Sequence, residues 1–315
     1  MELRKDYILD RYVIVSSSRG KRPFEFKREK EHKEEGKTCF FCPGNENLTP
    51  PEIGRIGTKK KWKIRWFPNK FPAVDKKGNP NIKTRKEFFT SASAYGHHEV
   101  IVETNNHKKQ LADLTEKSIK EVLTAYIDRI KKLSSEKNIK YVCIFKNHGR
   151  NAGTSLVHSH SQLIAYNKLP ELVKEKIKTS KKYKKCPYCR IIKLEKKSER
   201  RCFENPSFVS FAPYASRFHF ENWIFPKKHI TNLTQMSDKQ LGDLAKILKK
   251  VLAKLKKLNA SYNMELFYAP KGKDLHFHIE ISPRISIIGG FEILSDDVIN
   301  SLAPEEAAKF YRGEK

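Results

Sequence analysis

Two stretches of the chain repeat apolar residues at three-and-four spacing, and strand-like runs flank each of them. Ile119, Val122, Leu123, Tyr126, Ile130 and Leu133 share one helical face, with Lys, Glu and Arg opposite. Leu241, Leu244, Leu248, Val251, Leu252 and Leu255 form a second such face, behind a capping box at Ser237 to Gln240. β-Branched and aromatic residues predict strands at Tyr12 to Ser16, in the K-W-K-I-R-W-F-P run ending at Pro68, at Glu99 to Glu103 and at Tyr141 to Lys146. Further strands are predicted at Phe208 to Phe211 and Met264 to Tyr268. Residues 75 to 95 read as a polar excursion. The Lys/Glu-rich segment after Lys168, ending in K-K-Y-K-K, reads as a connection between two halves.

The order of features repeats across that connection. A C-x-x-C pair (Cys39/Cys42, then Cys186/Cys189) precedes a strand, and a glutamate follows eight residues ahead of a histidine (Glu99/His107, then Glu221/His229). A long helix, another strand and a His-x-His run (His158/His160, then His276/His278) complete each series. The chain is therefore an internal duplication, divided into halves at 1–167 and 168–315. The expected class is α+β, with antiparallel sheets and packed helices.

Composition narrows the setting. The 315 residues are 38% hydrophobic, enough for a globular core, and carry a net charge of +28. The lysines are spread through every segment and are not interleaved with aromatics in one stripe, a habit of proteins from hot environments or of genomes biased toward lysine codons. This distribution argues against nucleic acid as a partner, although a basic surface attracts nucleotide and sugar-phosphate substrates. There is no run of 18 apolar residues, and the N-terminal M-E-L-R-K-D-Y lacks a signal-peptide layout, so a cytoplasmic protein without membrane association is expected.

In that setting the C-x-x-C pairs read as metal sites before disulfides, and Cys143 and Cys202 as ordinary residues. Aligning the halves places Cys39, Cys42, His107 and His158 in one set and Cys186, Cys189, His229 and His276 in the other. Each is a Cys₂His₂ mix that suits tetrahedral, structural Zn²⁺.

Residues 147 to 162, N-H-G-R-N-A-G-T-S-L-V-H-S-H-S-Q, gather small, polar and imidazole residues in a lysine-heavy chain. Gly149 and Gly153 free the backbone for a tight loop that can turn N–H groups toward an anion. If the segment that follows is extended, His158, His160 and Gln162 project from one face.

This stretch resembles the active-site motif of the galactose-1-phosphate uridylyltransferases, a branch of the histidine triad superfamily, and the likeness extends over nearly the whole chain. The resemblance implies two histidine-triad-like halves and ping-pong transfer of a nucleoside monophosphate from UDP-glucose to a hexose 1-phosphate. It makes His160 the nucleophile and puts Gln162 where hydrolase members have a third histidine. Gln162 would hydrogen-bond the phosphoryl oxygens, which suits transfer because a sugar-phosphate leaving group needs no strong acid. Asn147, Gly153 and Ser155 match the phosphate-contacting loop, and Phe67 and Asn69 a nucleotide contact. Arg19 and Arg22 match a pair that reaches phosphates across a homodimer interface, and Phe291 and Glu292 a sugar contact.

Three departures bear on the substrate. Lys70 follows Asn69 where bacterial-type relatives have an acid, no glutamine follows Glu292, and Ser286 stands in place of a lysine. These look more like the branch of ADP-glucose phosphorylase, so an ADP-glucose or dinucleoside-polyphosphate phosphorylase or adenylyltransferase is the alternative within the class. The rival from another class, a zinc-dependent nucleic-acid-binding protein, rests on the charge and the cysteine knuckles. It would leave the phosphate loop unused.

Overall fold

A computed structural model describes residues 1–15 and 38–314. The chain opens on β1 (Glu2–Lys5) and β2 (Tyr12–Val15). The first half then supplies β3 (Gly54–Gly57), β4 (Trp62–Pro68), β5 (Lys83–Arg85), β6 (Phe89–Ser91) and β7 (Gly96–Val102). Helix α1 (Glu116–Ser134) leads into β8 (Tyr141–His148) and β9 (His160–Tyr166). Helices α2 (Glu171–Ser180) and α3 (Pro187–Glu195) precede β10 (Arg201–Glu204), β11 (Phe208–Phe211) and β12 (Asn222–Pro226). After them come α4 (Asp238–Lys257), β13 (Tyr262–Phe267) and β14 (His278–Pro283), then α5 (Gly290–Ser295), β15 (Val298–Asn300) and α6 (Pro304–Arg312).

Ten strands form one sheet in the order β10-β11-β12-β14-β13-β8-β9-β7-β4-β3. Every pairing in it is antiparallel. Read inward from either edge, the strands come in the same order of roles, which is the expected duplication in three dimensions. The halves meet where β8 pairs with β13, from Tyr262 opposite His148 to Glu265 opposite Phe145. The boundary at 167/168 falls between β9 and α2.

Both long helices form as the periodicity predicts. Thr115 caps α1 by accepting from the Ser118 N–H, and Ser237 and Gln240 make the capping box of α4. The apolar residues named for each face are all buried, in one core that joins the two halves. The alternation of β9 sorts its residues between two faces. Ser161 reaches Tyr126 of α1, so Ser159 and Ser161 face the helices and His160 and Gln162 lie on the opposite, open face.

The segment read as a mere connection is structured. Val173, Lys176 and Ile177 of α2 are buried at helical spacing. The polar excursion holds the exposed β5-β6 hairpin. A small sheet, β1-β2-β15, and α5 and α6 complete the described chain.

Candidate active site

The site is built on the open face of the first half. His160 is buried, and its Nδ1–H donates to the His158 carbonyl oxygen at 2.8 Å, which leaves Nε2 as the unprotonated nitrogen. Burial, reinforced by the Lys146 ammonium behind the strand, lowers the imidazole to about 4, so the ring is neutral at pH 7. Phe41, Trp62, Phe67, Val100 and Val102 form a small apolar floor, and the Phe41 ring lies 5.3 Å from that of His160.

Behind the strand, on the helix side, a buried polar cluster fixes its position. Lys146 Nζ donates to Glu103 at 2.7 Å, to Ser159 Oγ at 3.2 Å and to the His160 carbonyl at 2.9 Å. Ser159 donates to the same Glu103 oxygen as Lys146, Oε2, at 2.5 Å, while Ser161 donates to Oε1 and bonds the Tyr126 hydroxyl. Burial alone would raise Glu103, but Lys146 and the two hydroxyls hold it below the usual carboxylate range.

The glycine loop is moulded by the second half. Gly149 has φ +80, and a Cβ there would stand 1.9 Å from Ser261 Oγ. Gly153 closes the turn in the left-handed region. Asn263 of β13 donates to Asn147 Oδ1 at 2.8 Å and to the Ala152 carbonyl at 2.9 Å. With its oxygen so engaged, Asn147 turns its NH₂ group toward Gly153. Ser155 is exposed between Gly153 and His158.

Gln162 and Asn69 are brought together, with Asn69 Nδ2 at 3.5 Å from Gln162 Oε1. Between them stands His98, a residue not singled out in the sequence, whose Nε2 is 2.9 Å from the same oxygen. The alternation of G-H-H-E-V-I-V holds the signal for it, since His98 shares its face with Val100 and Val102. Phe291 and Glu292 lie on α5 against the small sheet. The Glu292 carboxylate accepts from the Gly289 and Ile299 N–H groups, and among the described residues it forms no hydrogen bond with His160. Arg19 and Arg22 lie outside the described residues.

Both expected metal sets assemble, with the donor atoms of each within 4.8 Å of one another. In the first set, His158 Nε2–H donates to the Thr104 carbonyl at 2.7 Å, leaving Nδ1 to face Cys39 at 3.5 Å and Cys42 at 3.7 Å. His107 Nδ1 is 3.4 Å from Cys42. Zinc bonds of about 2.3 Å to sulfur and 2.0 Å to nitrogen put S and N roughly 3.5 Å apart across a tetrahedron, so the donor set fits a metal of this kind. In the second set, His276 faces Cys186 at 3.9 Å and Cys189 at 3.5 Å, and His229 is oriented by Asp274 at 2.8 Å. Burial pushes the Cys143 thiol up to about 12 and raises Cys202 as well, in keeping with their reading as ordinary residues.

The second half reproduces the His-x-His geometry but not the opening. His278 Nδ1–H donates to the His276 carbonyl, as His160 does to that of His158. Its Nε2, however, meets Glu280 at 3.1 Å and Lys176 Nζ at 3.3 Å. Lys176 donates to Glu280 at 2.5 Å and lies over the rings of Phe267 and Trp223. Against the cost of burial, this ammonium holds Glu280 down at about 2. The sheet register also corrects one equivalence: Val100 pairs with Gln162 and Trp223 with Glu280, so Glu221 matches His98, not Glu99. The loop before His229 is one residue shorter, which hid the shift. Glu99 instead forms a bidentate buried pair with Arg129.

A neutral imidazole nitrogen beside a loop of backbone N–H groups and side-chain amides has the chemistry of a nucleotidyltransferase. Family models of the galactose-1-phosphate uridyl transferase N-terminal and C-terminal domains match residues 1–170 and 141–313. The chain belongs to the galactose-1-phosphate uridyl transferase family. It is 35% identical to an ADP-glucose phosphorylase of Arabidopsis thaliana, over 99% of this chain and 92% of the relative. It is 31% identical to a galactose-1-phosphate uridylyltransferase of Thermotoga maritima, over 99% of this chain and 98% of the relative. A crystal structure of the Arabidopsis ADP-glucose phosphorylase with bound ADP-glucose superimposes with a TM-score of 0.85 at 33% identity, covering 100% of this chain and 99% of that one. A uridylyltransferase structure gives 0.78 at 30% identity, covering 99% and 98%. Among the described residues no helix is long and apolar enough to cross a membrane.

Proposed function

We propose that this enzyme transfers a nucleoside monophosphate from a nucleotide sugar through a covalent intermediate on His160, with UDP-glucose and a hexose 1-phosphate as the substrates. The observation that carries the reading is the Nδ1–H donation of His160 to the His158 carbonyl, which directs the nucleophilic lone pair to Nε2. In the first step Nε2 attacks the α-phosphorus. The bond to the bridging oxygen breaks, and glucose 1-phosphate leaves with the electron pair. In the second step an oxygen of the acceptor phosphate attacks the same phosphorus, and the P–N bond breaks to return the pair to Nε2. Asn147, the backbone around Gly153, Ser155 and Gln162 stabilise the phosphoryl oxygens in both steps, and Phe67 and Asn69 contact the nucleotide.

Zinc suits the two Cys₂His₂ sets, and with four protein ligands each would have a structural role. In the first half the ligand His158 is two residues from His160, so the metal would hold the strand that carries the nucleophile. Metal analysis of purified protein is expected to give two zinc ions per chain. Cys42→Ser is expected to lower the content by one and to cost about 10-fold or more in turnover, since ligand loss loosens the strand. Unchanged metal content in that variant would remove Cys42 from the ligand set. We further propose, on the family resemblance, a cytoplasmic homodimer in which Arg19 and Arg22 of one copy reach phosphates bound by the other, and in which Phe291 and Glu292 contact the sugar.

A second reading keeps the nucleophile and changes the base. Lys70, in place of an acid beside Asn69, and the likeness to a plant ADP-glucose phosphorylase both support adenylyl transfer, with inorganic phosphate as acceptor. Intact-protein mass spectrometry after brief exposure to UDP-glucose or ADP-glucose distinguishes the two. A uridylyl adduct supports the first reading and an adenylyl adduct alone the second. No adduct from either, in protein with its metals, refutes both.

A further inference from the structure

The chain carries a third histidine near the site, on a neighbouring strand. His98 projects from β7 on the same open face as Val100, and Val100 is the register partner of Gln162. Its hydrogen bonds define its tautomer. The backbone N–H of Ala73 donates to Nδ1 at 3.1 Å, and an amide N–H can only donate, so Nδ1 is the acceptor and Nε2 carries the proton. That Nε2–H donates to Gln162 Oε1 at 2.9 Å.

Asn69 acts on the same oxygen. Its own Oδ1 accepts from the Phe71 N–H at 2.9 Å, which fixes Nδ2 as the end that faces Gln162 at 3.5 Å. The 3.2 Å between Asn69 Nδ2 and His98 Nε2 is then a pair of donors side by side, both aimed at one carbonyl oxygen. A flipped Gln162 would bring its NH₂ against both donors and turn its oxygen toward the phosphoryl oxygens, so the arrangement admits one orientation.

We propose that His98 is a positioning residue that locks the Gln162 amide with its NH₂ group toward the reacting phosphoryl group. This rests on the proposed transfer through His160. The duplication supplies an internal contrast. In the second half, Glu221 and Glu280 occupy the positions of His98 and Gln162, and the lysine of α2 occupies the space a phosphoryl group would need. A neutral donor and a neutral amide are paired in the half that has the glycine loop. Two carboxylates stand at those positions in the half that lacks it, turned to other partners: Glu221 to the Arg217 and Phe218 N–H groups, Glu280 to Lys176.

The test uses full-length protein and two measurements. The first is the rate of nucleotidyl-enzyme formation in a single turnover at saturating nucleotide sugar, with KM measured separately. His98→Phe keeps the ring volume without the donor and is expected to slow adduct formation by roughly 10- to 100-fold with little change in KM, as for a misdirected transition-state donor. His98→Gln places an amide NH₂ at the reach of Nε2 and is expected to recover to within about 5-fold of wild type, whereas His98→Asn is too short to do so. In a Gln162→Ala background, His98→Phe should cost little more. Equal losses for Phe and Gln, or full additivity with Gln162→Ala, would show a merely structural role. The second measurement is ¹⁵N NMR of the His98 ring, which is independent of turnover. The Nε2–H tautomer is expected, and the Nδ1–H tautomer overturns the inference whatever the activity. Absence of adduct from the wild type overturns the function on which it rests, and the positioning role falls with it.

Discussion

Replacing His160 with alanine is expected to abolish nucleotidyl transfer, with kcat/KM falling by roughly 10⁴- to 10⁶-fold, the scale seen when a nucleophile is removed. The expected mass spectrum shows no adduct at any time. The loss should be chemical, because the imidazole hydrogen-bonds to the His158 backbone carbonyl, whereas the His158 ring that faces the cysteines is oriented by the Thr104 carbonyl. Metal content and thermal stability are therefore expected to stay near wild type. His278→Ala provides the contrast. Its Nε2 is enclosed by Glu280 and Lys176, so transfer is expected to persist within a few-fold. Adduct formation in His160→Ala would mean that another residue is the nucleophile.

The second large effect is on stability. Lys146 and Glu103 form an ion pair whose side chains are 1% and 0% exposed. Lys146→Met is expected to destabilise the protein by about 3–5 kcal/mol, because it leaves a buried carboxylate without its charge partner. Lys146→Met with Glu103→Gln should recover most of that loss, since a neutral pair avoids the cost of burying charge. Chemical denaturation of the two variants checks both statements, and a double variant no more stable than the single one would refute the account. The pair also carries a pH dependence. Glu103 is held below its ordinary value of 4.5, so its contribution is fully present above that pH and is lost as the pH falls through the lower folded value. The double variant should lack that increment of acid sensitivity.

Much of this architecture could be read from residue order because each half repeats the same punctuation. The C-x-x-C pairs, the amphipathic helices and the His-x-His runs occupy corresponding places, and the two metal sets close as aligned. Composition misled where a charged segment folds inward. The stretch after Lys168 is rich in lysine and glutamate, yet Val173, Lys176 and Ile177 recur at helical spacing, and Lys176 is drawn inside by Glu280 and two aromatic rings. Lys146 ends a strand-like run and gives no local sign that its partner lies on β7's continuation at Glu103. Alternation puts His98 on the face of Val100 and Val102, but only the strand register reveals that this face meets Gln162. Counting residues back from a histidine also fails when one loop is shorter, as the Glu221 equivalence demonstrates.

The seam between β8 and β13 has a consequence for synthesis on the ribosome. When β8 emerges, the edge that will pair with β13 has no partner until Tyr262 and its neighbours are made, on the order of a hundred residues later. At ordinary elongation rates that interval is roughly ten seconds. During it the nascent first half presents Phe145, Lys146, Asn147 and His148 as an unpaired strand edge, an invitation to wrong partners. The glycine loop is likewise without the Ser261 and Asn263 mould until then. The proposed transfer therefore waits for the second half to be translated, even though His160, the proposed nucleophile, belongs to the first.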